Sequence, residues 1–452
     1  MADIGSIVES AQDLEAPVTI GVDAYISADY VRAERDRLWR KTWLQAGRLQ
    51  DLPEVGSFIT FDILDDTVLV TRTGENEYSA HWNVCTHRGR RLVDTPKGKR
   101  NARGLKKNFV CGFHGWTYNN KGTCTHVPER EMWQGKLHDE DINLGPVACD
   151  TWGGWVWINL DPDCGSLRDY LEPAASMLEP YQLQNMGYRW RKFVVFDCNW
   201  KVALEAFNET YHVPSTHPEF MEFGDFPGWA RNHGLHSNIG YDAPKDMEEN
   251  SGKLRVGTGD ARVTTAQMQN YTWAAANTNT TQTMVDVANN LVDELPEGTP
   301  SPEVLGYWIT RSKQIDAENG VVWPEVPSSH TAQAGTAWQI FPNFQIGHAV
   351  NNMLCYMARP YGDDPNKCYF EAAVFQLYPE GEAPETEWEY VEPQDWPPVL
   401  QQDFDNMAAV QQGMKSGGFK GTRPNPYRER AIPSLHMNLA KFMGQGGPRV
   451  LK

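Results

Sequence analysis

The chain has 452 residues, 40% of them hydrophobic, enough for two or three domains with a substantial buried core, which excludes a disordered class. A formal charge of −18 argues against nucleic acid or an anionic membrane surface as partner, because the mean field repels both. No stretch approaches ~18 uninterrupted apolar residues, and the start MADIGSIVESAQDLEAP lacks the basic and apolar regions of a signal peptide, so a cytoplasmic location is expected.

Residues 1–38 read as an N-terminal segment packing on the domain that follows last in the chain. Residues 39–160 are punctuated by glycine and proline and hold short strand-like runs, Ser57–Phe61 and Thr67–Thr71 among them. Gly154–Leu160 reads as a closing strand with Asp161-Pro162-Asp163 as the turn behind it, so a compact all-β domain is expected. Residues 161–452 alternate helical patterns, roughly 165–180, 199–213 and 398–416, with strand-like runs at Arg191–Cys198 and Tyr369–Leu377, an α+β composition. Within them, 231–329 is polar, rich in Thr and Asn and weakly periodic. It reads as an elaboration on this second domain, lying over its pocket.

The eight cysteines are too sparse and irregular for a disulfide framework, so those at metal-ligand spacing matter first. Cys85-Thr86-His87 and Cys111-Gly112-Phe113-His114 are two Cys-His pairs separated by the 23 residues Arg88 to Val110. Each pair offers one thiolate and one imidazole from a single loop, the set that a Rieske [2Fe-2S] centre takes from two facing loops. Structural zinc also accepts Cys2His2, but zinc fingers pair Cys with Cys and His with His along the chain. Glycines at 89, 112 and 115 permit tight turns around such a cluster.

On a helical wheel of roughly 100° per residue, Trp200, Leu204, Phe207 and Tyr211 share one face. Glu205, Glu209 and His212 share the opposite one, which by itself is more often simply solvated. Pro214 should end this helix near Val213, letting His217 fold back beside His212. Two imidazoles need one carboxylate to complete the 2-His-1-carboxylate set that leaves coordination positions on Fe(II) open. Pro397-Pro398 opens a helix that stops at Gly417-Gly418, with Leu400, Met407, Val410 and Met414 as its apolar stripe. Asp403 falls inside that stripe, and a buried acid is costly unless it is paired or binds a metal. A capping role or an arginine partner is the alternative.

The loops C-T-H-R-G and C-G-F-H-G-W-T-Y, together with N-W-K, E-x-x-H-x4-H-P and Q-Q-D-F-D-x4-V-Q-Q-G, resemble the signatures of Rieske-type non-haem iron aromatic ring-hydroxylating oxygenases, α (catalytic) subunit. The resemblance covers roughly 37–225 and 335–420. It implies an all-β Rieske [2Fe-2S] domain (39–160) and an α+β, helix-grip-like catalytic domain with an antiparallel sheet (161–452). It further implies cluster ligands Cys85, His87, Cys111 and His114, and Fe(II) ligands His212, His217 and Asp403. Glu209 matches the carboxylate through which, in this family, a cluster histidine of one subunit communicates with the iron of the next, with His114 as its partner. Many relatives carry Asp at this position.

The resemblance implies an oxygenase that uses O2 to cis-dihydroxylate or monooxygenate an aromatic or other hydrophobic small molecule. The glutamate at 209 keeps a monooxygenase of quaternary ammonium compounds, such as choline or carnitine, as the alternative. A homotrimer is implied, with or without a small β subunit. The chain has no nucleotide-binding glycine fingerprint, so a ferredoxin and/or an NAD(P)H reductase must supply electrons. Residues 88–107 hold nine Lys/Arg against one Asp, either a solvated hairpin or a docking surface for an acidic donor. A pure electron carrier and a zinc-stabilised interaction protein are the competing classes.

Overall fold

The computed structural model describes residues 4–8, 10, 12–223, 228–241 and 259–451. Val31–Ala175 form one unit, and Met1–Tyr30 with Ser176–Lys452 form the other. None of the described helices is long and apolar enough to cross a membrane.

The smaller unit is all-β apart from short helical turns. Strands β1 (Leu44–Arg48), β2 (Ser57–Ile63), β3 (Asp66–Gly74), β4 (Glu77–Trp82) and β5 (Arg103–Leu105) come first. β6 (Asn108–Val110), β7 (Thr117–Asn119), β8 (Cys124–His126), β9 (Pro146–Trp152) and β10 (Trp155–Asn159) follow. They make a seven-stranded sheet in the order β1-β10-β9-β4-β3-β2-β5 and a three-stranded sheet β8-β7-β6. The first Cys-His loop leaves β4 and is closed by a bridge between Val84 and Arg91, and the second connects β6 to β7. Cys85 and Cys111 belong to the same apolar core as Phe58, Phe109, Trp116 and Tyr118. The core therefore fixes the two loops from beneath.

The larger unit is built on an eight-stranded sheet. Its strands are β11 (Gly187–Phe196), β12 (Gly228–His233), β13 (His236–Tyr241), β14 (Ala337–Ile340) and β15 (Phe344–His348), then β16 (Asn352–Tyr361), β17 (Asp364–Gln376) and β18 (Glu389–Tyr390). The order is β12-β13-β14-β15-β16-β17-β11-β18, antiparallel except for the last pair. Helix α1 (Trp200–Glu205) packs on β16 and β17, and α2 (Val213–Thr216) follows it after a turn. Helices α3 (Ala261–Ala276), α4 (Gln282–Glu294) and α5 (Ser301–Glu318) pack on one another. α6 (Pro398–Met414) packs on α1 and α3, and α7 (Ala431–Met443) on β12 and β13.

Several elements depart from their sequence reading. The helix expected over 199–213 ends at Glu205, because the Glu209 carboxylate accepts the backbone N–H groups of Tyr211 and His212 and draws the chain out of the helical ladder. Tyr211 is consequently 51% exposed, and Glu205 and Glu209 are buried, against the wheel, while Trp200 and Leu204 are buried as the wheel placed them. The pattern over 165–180 is interrupted at Glu172-Pro173, leaving Leu167–Leu171 and Ala174–Leu178. On α6 the buried stripe is Leu400, Asp403, Phe404, Met407, Gln411 and Met414, with Val410 outside it. The described part of 231–329 contributes strands at its start and then the bundle α3–α5, whereas 242–258 lie outside the described residues.

Asn199 ties the site elements together. Its side-chain oxygen caps α1 at Lys201 N (3.1 Å), and its amide donates to Tyr25 O and Pro365 O (both 3.0 Å). Its own N–H goes to Gln411 Oε1 on α6 (3.0 Å). Asn199→Ala removes the cap and two buried bonds and is expected to destabilise the larger unit by about 2 kcal/mol or more. A thermal melt of the variant should show the lower midpoint.

Candidate functional site

The two Cys-His loops repeat one backbone design. Cys85 N–H donates to Arg90 O (2.8 Å) and Gly89 N–H to Cys85 O (2.9 Å); Cys111 N–H donates to Trp116 O (2.8 Å) and Gly115 N–H to Cys111 O (2.9 Å). Gly89 and Gly115 hold φ of 75° and 77°, a conformation that costs a β-carbon dearly, whereas Gly112 has no such φ. Both thiols are buried, and the rings of His87 and His114 lie 4.7 Å apart nearer the surface, with His87 stacked 5.0 Å from Trp116. Two thiols below two imidazoles, on paired loops, is the donor set of a Rieske cluster, and it fits.

Tyr118 was not singled out by sequence. Its hydroxyl lies 3.3 Å from Cys85 Sγ and accepts Thr86 N–H at 3.2 Å, while Thr86 Oγ1 donates to Ile142 O at 2.9 Å. Burial, then the neighbouring Cys85, push the Tyr118 hydroxyl well up, so it stays protonated and can donate to the sulfur. Of the basic run, Arg100 is buried, and Arg90, Arg91 and Arg103 pair with Asp94, Asp62 and Asp51. Lys97 is exposed.

In the larger unit, His212, His217 and Asp403 offer three ligand atoms within 4.8 Å of one another. His212 Nδ1 lies 2.5 Å from Glu209 Oε1, and His217 Nδ1 lies 2.7 Å from Gln402 Oε1, whose Nε2 donates to Glu219 (3.2 Å). A carboxylate and an amide oxygen only accept, so each Nδ1 donates, and each Nε2 is turned toward Asp403, donating to its carboxylate when protonated and available to a metal when not. These Nε2 atoms face Asp403 Oδ1 at 3.5 and 3.0 Å. Two oriented imidazoles and one buried carboxylate make the set that a mononuclear iron takes up. Asp403 has no arginine partner among the described ion pairs, so the alternative of an Asp–Arg pair falls away.

A cavity of about 260 Å³ borders this group, walled by Glu205, Glu209, Glu429 and Arg423 and by Met407, Val410 and Met414. Burial lowers the basicity of His212, but Glu209, with help from Asp403 and Glu429, more than reverses this, so its pKa is raised. Glu429 is pushed up to about 7 by burial, with repulsion from Glu209 and Glu205 outweighing His212. Gln402 and Glu429 carried no sequence signal beyond Gln402's place beside Asp403.

Residues 42–138 match the Rieske [2Fe-2S] domain, and 183–445 match the ring hydroxylating alpha subunit (catalytic domain). The chain belongs to the ring-hydroxylating alpha subunit family. Its domains are accordingly a Rieske [2Fe-2S] domain and a catalytic domain of a family that binds mononuclear iron, in an α+β fold. It is 30% identical over 241 residues to the methanesulfonate monooxygenase hydroxylase subunit alpha of Methylosulfonomonas methylovora, covering 52% of this chain and 55% of that protein. It is 33% identical over 191 residues to the large oxygenase component of the naphthalene 1,2-dioxygenase system of Pseudomonas fluorescens, 41% of each. The chain spans about half the length of the curated relatives it matches. In fold it is similar to a quaternary ammonium Rieske monooxygenase with L-carnitine, at TM-score 0.64 and 15% identity over 96% of this chain and 98% of that one.

Two outcomes follow for this site. Gln402→Ala frees the His217 ring and should weaken mononuclear iron binding by roughly 10- to 100-fold, read by metal titration with the cluster spectrum unchanged. Glu429 has a raised pKa in the folded chain, so its contribution to stability is full below its ordinary value and lost as pH rises through about 7. Glu429→Gln should therefore gain melting temperature over the native chain at pH 8 but not at pH 4.5.

Proposed function

We propose that this chain is the terminal oxygenase component of a multi-protein system that uses O2 to cis-dihydroxylate or monooxygenate an aromatic or other hydrophobic small molecule. The observation that carries the reading is the trio His212, His217 and Asp403, with both imidazoles presented through Nε2. In this reading Cys85, His87, Cys111 and His114 hold the [2Fe-2S] cluster, and His212, His217 and Asp403 hold Fe(II). Bound there, the two groups supply one-electron transfer and O2-dependent oxidation of carbon.

The chain's own residues have separable tasks. Glu209 keeps the Nδ1 proton of His212 and, in the assembly we propose, faces His114 of the partner subunit. A homotrimer, with or without a small β subunit, brings those groups together. Electrons come from a ferredoxin and/or an NAD(P)H reductase, for which exposed Lys97 belongs to the proposed docking face. A cytoplasmic location suits eight cysteines of which none forms a disulfide. The quaternary ammonium alternative needs open aromatic faces for the cation. Phe220, 6.2 Å from the His217 ring, meets Tyr271 edge-on at 5.3 Å, and Tyr271 meets Phe223 at 5.8 Å, so aromatic rings near the trio serve this alternative as well as the first reading.

Glu209→Ala tests this directly. Loss of the His212 Nδ1 partner should weaken iron binding as Gln402→Ala does, so the variant is assayed with the cluster intact and the iron site filled by excess Fe(II), and product formation with the electron donors present should still fall by roughly 10- to 100-fold. Turnover at the native rate would remove Glu209 from the mechanism.

A further inference from the structure

His217 has two supports, and both reach it through one short turn. Its ring meets that of Phe220 edge-on, with 6.2 Å between centroids and 87° between planes. Its Nδ1 is held by Gln402, which is held in turn by Glu219. Phe220 and Glu219 both belong to the turn Pro218–Glu222, and Phe220 N–H donates to His217 O at 3.0 Å. Whatever fixes this turn therefore fixes the ligand. Five residues of tight helix are too few to hold their geometry without packing. The packing comes from Tyr271 on α3, whose ring lies edge-on to Phe220 at 5.3 Å and 87° and tilted against Phe223 at 5.8 Å. Both separations lie in the range where aromatic rings attract.

α3 is anchored well enough to serve as that support. Past its C-terminal end, Arg189 on β11 donates to Asn277 O (3.2 Å) and Thr280 O (2.6 Å), and Trp190 Nε1 donates to Asn277 O (2.9 Å). The Arg189 guanidinium also lies over Trp273, 4.9 Å from the ring centroid. At its start, Asp260 caps Arg262 N (2.9 Å), and the Arg262 guanidinium donates to Val292 O (3.2 Å) and Leu295 O (2.5 Å) at the end of α4. A helix held at both ends presents the Tyr271 ring at a fixed place. Burial, then Glu219 and Glu222, push the Tyr271 hydroxyl up, so it stays protonated beside those acids. The contacts to the turn are made by the ring, not by the hydroxyl.

We propose that Tyr271 is a positioning residue for His217: its ring clamps the Pro218–Glu222 turn and thereby sets the affinity of His212, His217 and Asp403 for Fe(II). This rests on the reading of those three residues as iron ligands. Without the ring, the His217 side chain and the Glu219–Gln402 bond are left to be ordered by the metal itself, which weakens its binding. The bundle α3–α5 is then more than a covering over the domain, because it reaches the metal-binding trio through one side chain.

The test is anaerobic calorimetric titration of Fe(II) into the full chain after its mononuclear iron has been chelated, with cluster absorption confirming that the smaller unit is intact. Tyr271→Ala should bind Fe(II) roughly tenfold or more weakly than the native chain, and Tyr271→Phe within about twofold of it. Phe220→Leu breaks the same contact from the turn's side and should weaken binding comparably, which keeps the test open if Tyr271→Ala does not fold. Trp308, buried on α5 and donating to Met284 O (2.8 Å), supplies the control. Trp308→Leu should lower the melting temperature without moving Fe(II) affinity. Native affinity in Tyr271→Ala, no rescue by Tyr271→Phe, or an equal loss in Trp308→Leu would overturn the clamp. No Fe(II) uptake by the native chain, or uptake undiminished in His217→Ala, would instead remove the iron-ligand reading and the clamp with it.

Discussion

The buried carboxylates of Asp403 and Glu209 are the constraint on which the larger unit depends. A carboxylate removed from water must be compensated by hydrogen bonds, by opposite charge or by a metal. Glu209 is compensated by two backbone N–H groups and the Nδ1 proton of His212. Among the described residues Asp403 meets only the two Nε2 atoms, so a cation there resolves both its own desolvation and the orientation of the imidazoles. The turn that ends α1, the second short helix and the position of α6 all follow from satisfying these two groups.

Around them the chain holds its ligands from behind. Asn199 locks α1 to α6 and to the N-terminal segment, and Gln402 with Glu219 holds His217. Glu205, the last residue of α1, accepts from Tyr25 Oη (3.0 Å) and His436 Nε2 (2.6 Å), so the acid lining the cavity wall beside Glu209 is itself fixed. In the smaller unit the same principle operates with weaker groups, where the hydrophobic core immobilises the thiols and Tyr118 adds one donor. Ligand atoms are prepositioned in both units, so little ordering is left for metal uptake to drive.

The residues readable from sequence were those whose chemistry is wrong for their surroundings. Cys-His pairs at unequal spacing and an aspartate on an apolar stripe both violate a simple pattern, and both mark the site. The end of α1 was unreadable because a side chain competes with the helical ladder, a local contest that hydrophobic periodicity does not record. The bundle α3–α5 was obscured for a related reason. Its first helix buries Thr265, Gln269 and Thr272, so the helical repeat is present but polar. Gln402 is ordinary by type and acquires meaning only from its placement between His217 and Glu219.

Anomalous scattering at the iron edge from a crystal of the anaerobically purified protein tests the central claim most directly. The account predicts one iron peak within coordination distance of His212 Nε2, His217 Nε2 and the Asp403 carboxylate, and a second, binuclear feature bounded by Cys85, His87, Cys111 and His114. Zinc at the four Cys and His positions, or no metal between His212, His217 and Asp403 with Asp403 turned to another partner, would contradict it.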